Sequence, residues 1–155
     1  MMAHTIFADV IWPALFLQNR LLSTWIILAG LFIEYFFVWR VTSLGAWRSI
    51  LADVAINIAS TVLGMVLIPL AGIAWEFFPG IFLYKIFNLG TFNPGTWAVT
   101  FCMAVLINAA LEMSVLRIWF QQHFRKDLFG WLCLANALSV GLAMASFLIY
   151  PAGRY

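Results

Sequence analysis

Eight residues with chemistry to offer lie inside stretches of this chain that are otherwise apolar. They are Glu34, Asp53, Asn57, Asn108, Glu112 and Asn136, with Ser60 and Ser139 at the edge of the group. A carboxylate held in hydrocarbon costs several kcal/mol, so such residues turn to a protein interior and mark function by default. Three acids, three amides and no histidine among them make a set of hard oxygen donors. If a metal binds there, Na⁺, Mg²⁺ or Ca²⁺ suits them better than zinc or copper. Protons fit as well, because removal from water disfavours the charged form of a carboxyl. No resident cofactor is otherwise expected.

Other chemistries fit poorly. A serine nucleophile needs a base within hydrogen-bond reach. The two histidines, His4 and His123, lie outside the apolar runs, and Asp53 is seven residues from Ser60. No GxSxG, HExxH or phosphate-binding glycine loop occurs. The chain is therefore expected not to be an enzyme, with an intramembrane enzyme as the third choice. Haem or pigment binding lacks an axial histidine in the same way. Cys102 and Cys133 are isolated in apolar runs, where each is expected to be a buried small hydrophobe rather than half of a disulfide or a zinc ligand.

The spacing constrains what these residues can do together. Asp53 and Asn57, and likewise Asn108 and Glu112, are four apart and share a helix face. Glu34 precedes Arg40 by six residues and Asn57 follows Arg48 by nine. At about 1.5 Å per residue both lie roughly 9–14 Å in from the same end. A related pattern recurs downstream. Glu34 matches Glu112 at an offset of 78, Val38 and Arg40 match Val115 and Arg117 at 77, and Asn57 and Ser60 match Asn136 and Ser139 at 79. Each unit holds two spans, so the units would run the same way through a membrane, as a parallel repeat. Asp53 and Asn108 have no counterpart, the position of Asn108 falling near Gly30 in the first unit.

The elements that must position these groups are membrane helices. Of 155 residues, 65% are hydrophobic and 9% charged, and mean hydropathy is +1.01. A soluble domain carries about a quarter charged residues, and a spanning helix needs about 20 apolar ones. Four spans fit: Leu21–Trp39, Ser49–Leu70, Thr96–Phe120 and Trp131–Tyr150, with Pro69 expected to stop or kink the second. The expected fold is an all-α integral membrane protein, a four-helix transmembrane bundle made of two parallel-repeat helical hairpins. It divides into an interfacial segment (1–19) with a helix at Phe7–Leu17, a first hairpin (20–70), an interfacial connection (71–95) and a second hairpin (96–155). The connection is rich in Phe, Trp and Tyr, which suits a cap at the non-cytoplasmic membrane surface, with Glu76 and Lys85 at its wet edge. Gln121–Gly130 reads as the most polar loop. No secretory signal or lipidation pattern is expected at the N-terminus.

Orientation follows from the basic residues. Arg40, Arg48, Arg117, Arg125 and Lys126 cluster at the two hairpin turns, against Arg20, Lys85 and Arg154 at the opposite side. Five against three places the turns in the cytoplasm, as a rim to the polar cluster, and both termini outside. A bacterial or archaeal cytoplasmic membrane is the expected location. The net charge of +2 is too small and dispersed for nucleic acid. The expected partners are the lipid bilayer and either further copies of the chain or a larger membrane complex. Two functions fit the cluster equally. It could serve cation- or proton-coupled transport, opening toward the basic side, or it could merely lock the helices of an accessory or scaffold subunit.

Overall fold

The computed structural model describes residues 11–80, 82–83, 86 and 93–149. The described elements are helical. A short helix, α1 (Ile11–Leu21), precedes four long ones: α2 (Thr24–Val41), α3 (Ala46–Trp75), α4 (Pro94–Trp119) and α5 (Lys126–Ile149). All four long helices have the length and hydropathy to cross a membrane.

The bundle forms because each helix carries a thin inward stripe and an apolar exterior. On α2 the buried residues are Ile26, Gly30, Glu34 and Val38, a strict spacing of four. On α3 the row Ala52, Ile56, Ser60, Gly64, Ile68 and Gly72 keeps the same spacing. Small residues on these rows let backbones approach closely, as membrane helices need when lipid is as apolar as leucine. The outer faces are bare hydrocarbon: Phe32 is 78% exposed, Ile58 61% and Leu148 87%. Around the ring α2 packs on α3, α3 on α4, α4 on α5 and α5 on α2, while α1 touches all four.

Two apolar clusters fill the interior. One, toward the hairpin turns, gathers Val38, Leu44, Ile56, Ala109, Met113, Leu116, Leu128 and Leu132. The other, toward α1, gathers Ala14, Leu17, Ile26, Ile68, Ala104, Val105, Val140 and Ala143. The helix ends are set locally. Thr42 closes α2, its hydroxyl donating to the Val38 carbonyl at 2.6 Å. Asn93 caps α4 by accepting from the Gly95 N–H at 2.9 Å, with Pro94 in the first turn.

Several boundaries differ from expectation. Helix α3 runs through Pro69 to Trp75. A proline removes one backbone bond, but a membrane helix packed against neighbours tolerates that loss. The chain leaves helical geometry at Phe78 (φ −168°), the residue before Pro79, where the following ring disfavours helical backbone. Glu76 is buried rather than at a wet edge, because it follows Gly72 by one turn on the inward row. Helix α5 starts at Lys126, so Gln121–Gly130 is loop only in its first half. The Phe129 N–H already bonds the Arg125 carbonyl, and Asp127 suits the positive first turn. Cys102 is exposed on the outer side of α4, and Cys133 is half-buried. The expected interfacial helix falls partly on residues 1–10, outside the described residues. Its described part extends to Leu21 and buries Pro13, Ala14, Leu17 and Arg20 against the bundle, the Arg20 guanidinium lying 4.9 Å from the Phe147 ring centre. Lys85 and most of the aromatic connection also lie outside the described residues, while Phe77, Phe78 and Phe82 are exposed.

Leu132→Ala should lower stability by about 2–5 kcal/mol, since Leu132 is a fully buried side chain in the cluster at the hairpin-turn end. Unfolding in mixed detergent micelles measures this, and a loss well under 1 kcal/mol would mean that end is loosely packed.

Candidate functional site

Between the two apolar clusters lies a polar layer fed by all four long helices. Glu34 reaches in from α2, Asn57 and Ser60 from α3, Asn108 and Glu112 from α4, and Asn136 and Ser139 from α5. The inward rows explain the placement. Glu34 follows Gly30 by one turn, and Ser139 follows Ala135 by one turn, so each polar side chain inherits a buried position.

The layer is held by hydrogen bonds that cross between helices. Glu34 accepts from Asn57 Nδ2 at 2.7 Å with one carboxyl oxygen and from Ser139 Oγ at 2.8 Å with the other. That glutamate therefore ties α2 to α3 and to α5. Glu112 accepts from Asn136 Nδ2 at 2.8 Å, tying α4 to α5. Asn57 also donates to the Asp53 carbonyl at 3.1 Å and approaches its carboxyl at 3.3 Å. Asn136 does the same with the Leu132 carbonyl at 3.1 Å. Ser60 turns back to the Asn57 carbonyl at 3.3 Å. Glu34 and Glu112 are 4% and 1% exposed, so these acids have left water almost completely. The Asn108 side chain has no hydrogen bond among the described residues, and Glu112 accepts through Oε2.

A cavity of about 380 Å³ borders the layer. Glu34, Asn57, Ser60, Asn108, Glu112, Asn136 and Ser139 all line it. Asp53 is buried but does not line it, standing one turn closer to the hairpin turn. Arg40, Arg48, Arg117, Arg125 and Lys126 are exposed at helix ends around the turns, and none of them borders the cavity. Arg125 instead holds Asp127, its Nε donating to Oδ1 at 3.1 Å and Nη2 to Oδ2. The cavity thus does not open toward the basic side. The apolar cluster at that end seals the layer, and the space extends toward α1, where Gln18, Leu21 and Leu22 form its far wall.

Some lining residues carry no polar signal in sequence. Gly64 matters through what it lacks, since a Cβ there would lie 3.3 Å from Asn108 Oδ1. Its position four residues after Ser60, on the small-residue row, is the available clue. Gln18 is polar but lies outside the expected spans, and only the docking of α1 brings it to the cavity. Among the described residues, no three His, Cys, Asp or Glu side chains are grouped as metal ligands would be. No family model, curated protein or solved structure matches the chain.

Replacing Asn136 by Leu strips Glu112 of its described donor and should cost about 1–3 kcal/mol. Ser139→Ala leaves Glu34 its bond to Asn57 and should cost less, about 0.6 kcal/mol. Equal losses in reconstituted unfolding measurements would show that Asn136 does not hold Glu112.

Proposed function

We propose that this chain is a small membrane transport protein in which Glu34 and Glu112 load and release a proton or a small cation. The observation carrying this is the convergence of polar side chains from all four spans on one cavity within the bundle. Two carboxylic acids kept in such a place, at a cost of several kcal/mol if ionised, are typical of coupling sites. Protons and Na⁺ suit the pair better than Mg²⁺ or Ca²⁺, which ask for six or more oxygen ligands with strong carboxylate participation.

The two hairpins are a parallel duplication in this proposal. The bonds Glu34–Asn57 and Glu112–Asn136 support it, because they join matching positions of the two units. The ring order supports it too, since exchanging α2 with α4 and α3 with α5 leaves every neighbour a neighbour. The hairpin turns face the cytoplasm and the termini face outside, by the five-to-three bias of basic residues. The setting is a bacterial or archaeal cytoplasmic membrane, and the chain works as a homo-oligomer.

A second role has its own support. The bonds Glu34–Asn57, Glu112–Asn136 and Glu34–Ser139 each join two different helices, as a lock would. The chain would then be a scaffold or accessory subunit of a larger complex.

Reconstitution in proteoliposomes separates the two roles. In transport, Glu34→Gln and Glu112→Gln each lower proton-driven or cation flux about tenfold or more, a barrier change of at least about 1.4 kcal/mol. Both variants keep wild-type expression and elution. In a scaffold the wild type shows no flux, and the same variants lose oligomer integrity or a co-purifying partner.

A further inference from the structure

The cavity is unlike a channel through the bundle axis. Its mouth lies between α2 and α3, where Ile27, Ile58, Val62 and Met65 both line the space and are exposed on the outer surface. That surface is the one hydrocarbon covers. Toward the hairpin turns the apolar cluster closes it, and toward the other end α1 does. A ligand reaching the polar floor through this mouth passes from lipid, so its body is apolar.

The floor selects the head. Two glutamates line the cavity and no lysine or arginine does. The side chain of Glu112 is almost fully buried and accepts from Asn136 through Oε2. The Asn108 side chain, one turn away on the same face, has no hydrogen bond among the described residues. Glu112 and the half-buried Asn108 both line the cavity, so each offers an acceptor oxygen to a donor on a ligand. An ammonium group brings three donors and a charge opposite to the carboxylates, whereas an anionic head would meet two acids.

We propose that the α2–α3 cavity binds an amphipathic amine, a protonated amine head on an apolar body, which enters sideways from the bilayer and sets its head against Glu112 and Asn108. This names the cargo of the transport role proposed above and builds on it. Glu34, with both oxygens already bonded to Asn57 and Ser139, frames the site, and Glu112 is the contact for the head.

The test uses the full chain in lipid nanodiscs and three probes sharing one diazirine-bearing ten-carbon chain: decylamine, decanol and decanoate. The amine should label α2 and α3 around Ile27, Ile58 and Met65 about tenfold more than decanoate does, a difference of about 1.4 kcal/mol. Glu112→Gln should cut that labelling by a similar factor. Thr61→Trp should do so too, by narrowing the mouth from an exposed position that takes no part in the polar bonds. Equal labelling by all three probes, or labelling that survives both substitutions, overturns the proposal. Cavity labelling by the amine without flux in vesicles supports the binding site and overturns the transport role. Coupled proton flux without cavity labelling overturns the amine assignment and leaves transport standing.

Discussion

The constraint that shapes this molecule is the cost of taking Glu34 and Glu112 out of water. A bare carboxylate inside a bilayer is tolerated only when neighbouring helices supply donors. Asn57 and Ser139 meet that need for Glu34, and Asn136 meets it for Glu112. Because each donor comes from a different helix than its acceptor, satisfying the acids also fixes which helices are neighbours. The hydrophobic effect cannot do this among helices already in hydrocarbon, where packing and hydrogen bonds decide association.

The rest of the interior is organised about that layer. The apolar cluster at the hairpin-turn end is continuous and closed, with Leu116 and Leu132 fully buried. The cluster at the other end leaves room, and α1 folds against all four long helices there. One side of the polar layer is therefore sealed from the basic rim, while the other meets a cavity lined partly by exposed apolar residues of α2 and α3.

Length adds a further consequence. The 30 residues of α3 extend roughly 45 Å at about 1.5 Å each, beyond the ~30 Å of a bilayer core. The helix must tilt or project, and Gly72 and Glu76 continue its inward row past Pro69. The end of the bundle where α1 docks therefore carries a longer α3 than the expected span, while Gln18, Leu21 and Leu22 give the cavity its far wall.

Sequence alone determined the class of the protein and the membership of its polar layer. Runs of some twenty apolar residues have few other fates, and a glutamate within such a run must turn inward, so hydropathy and spacing named Glu34, Asn57, Asn108, Glu112, Asn136, Ser60 and Ser139. Tertiary structure decided which partners each one takes, and that Asp53 stands off the cavity. It also decided that the space opens between α2 and α3 rather than toward Arg40 and Arg117. The physical reason is that depth along a helix is a one-dimensional property, fixed by counting residues from a turn. Rotation, neighbour order and the docking of α1 depend on how the inward rows pack, as at Gly64, where an added Cβ would lie 3.3 Å from Asn108 Oδ1.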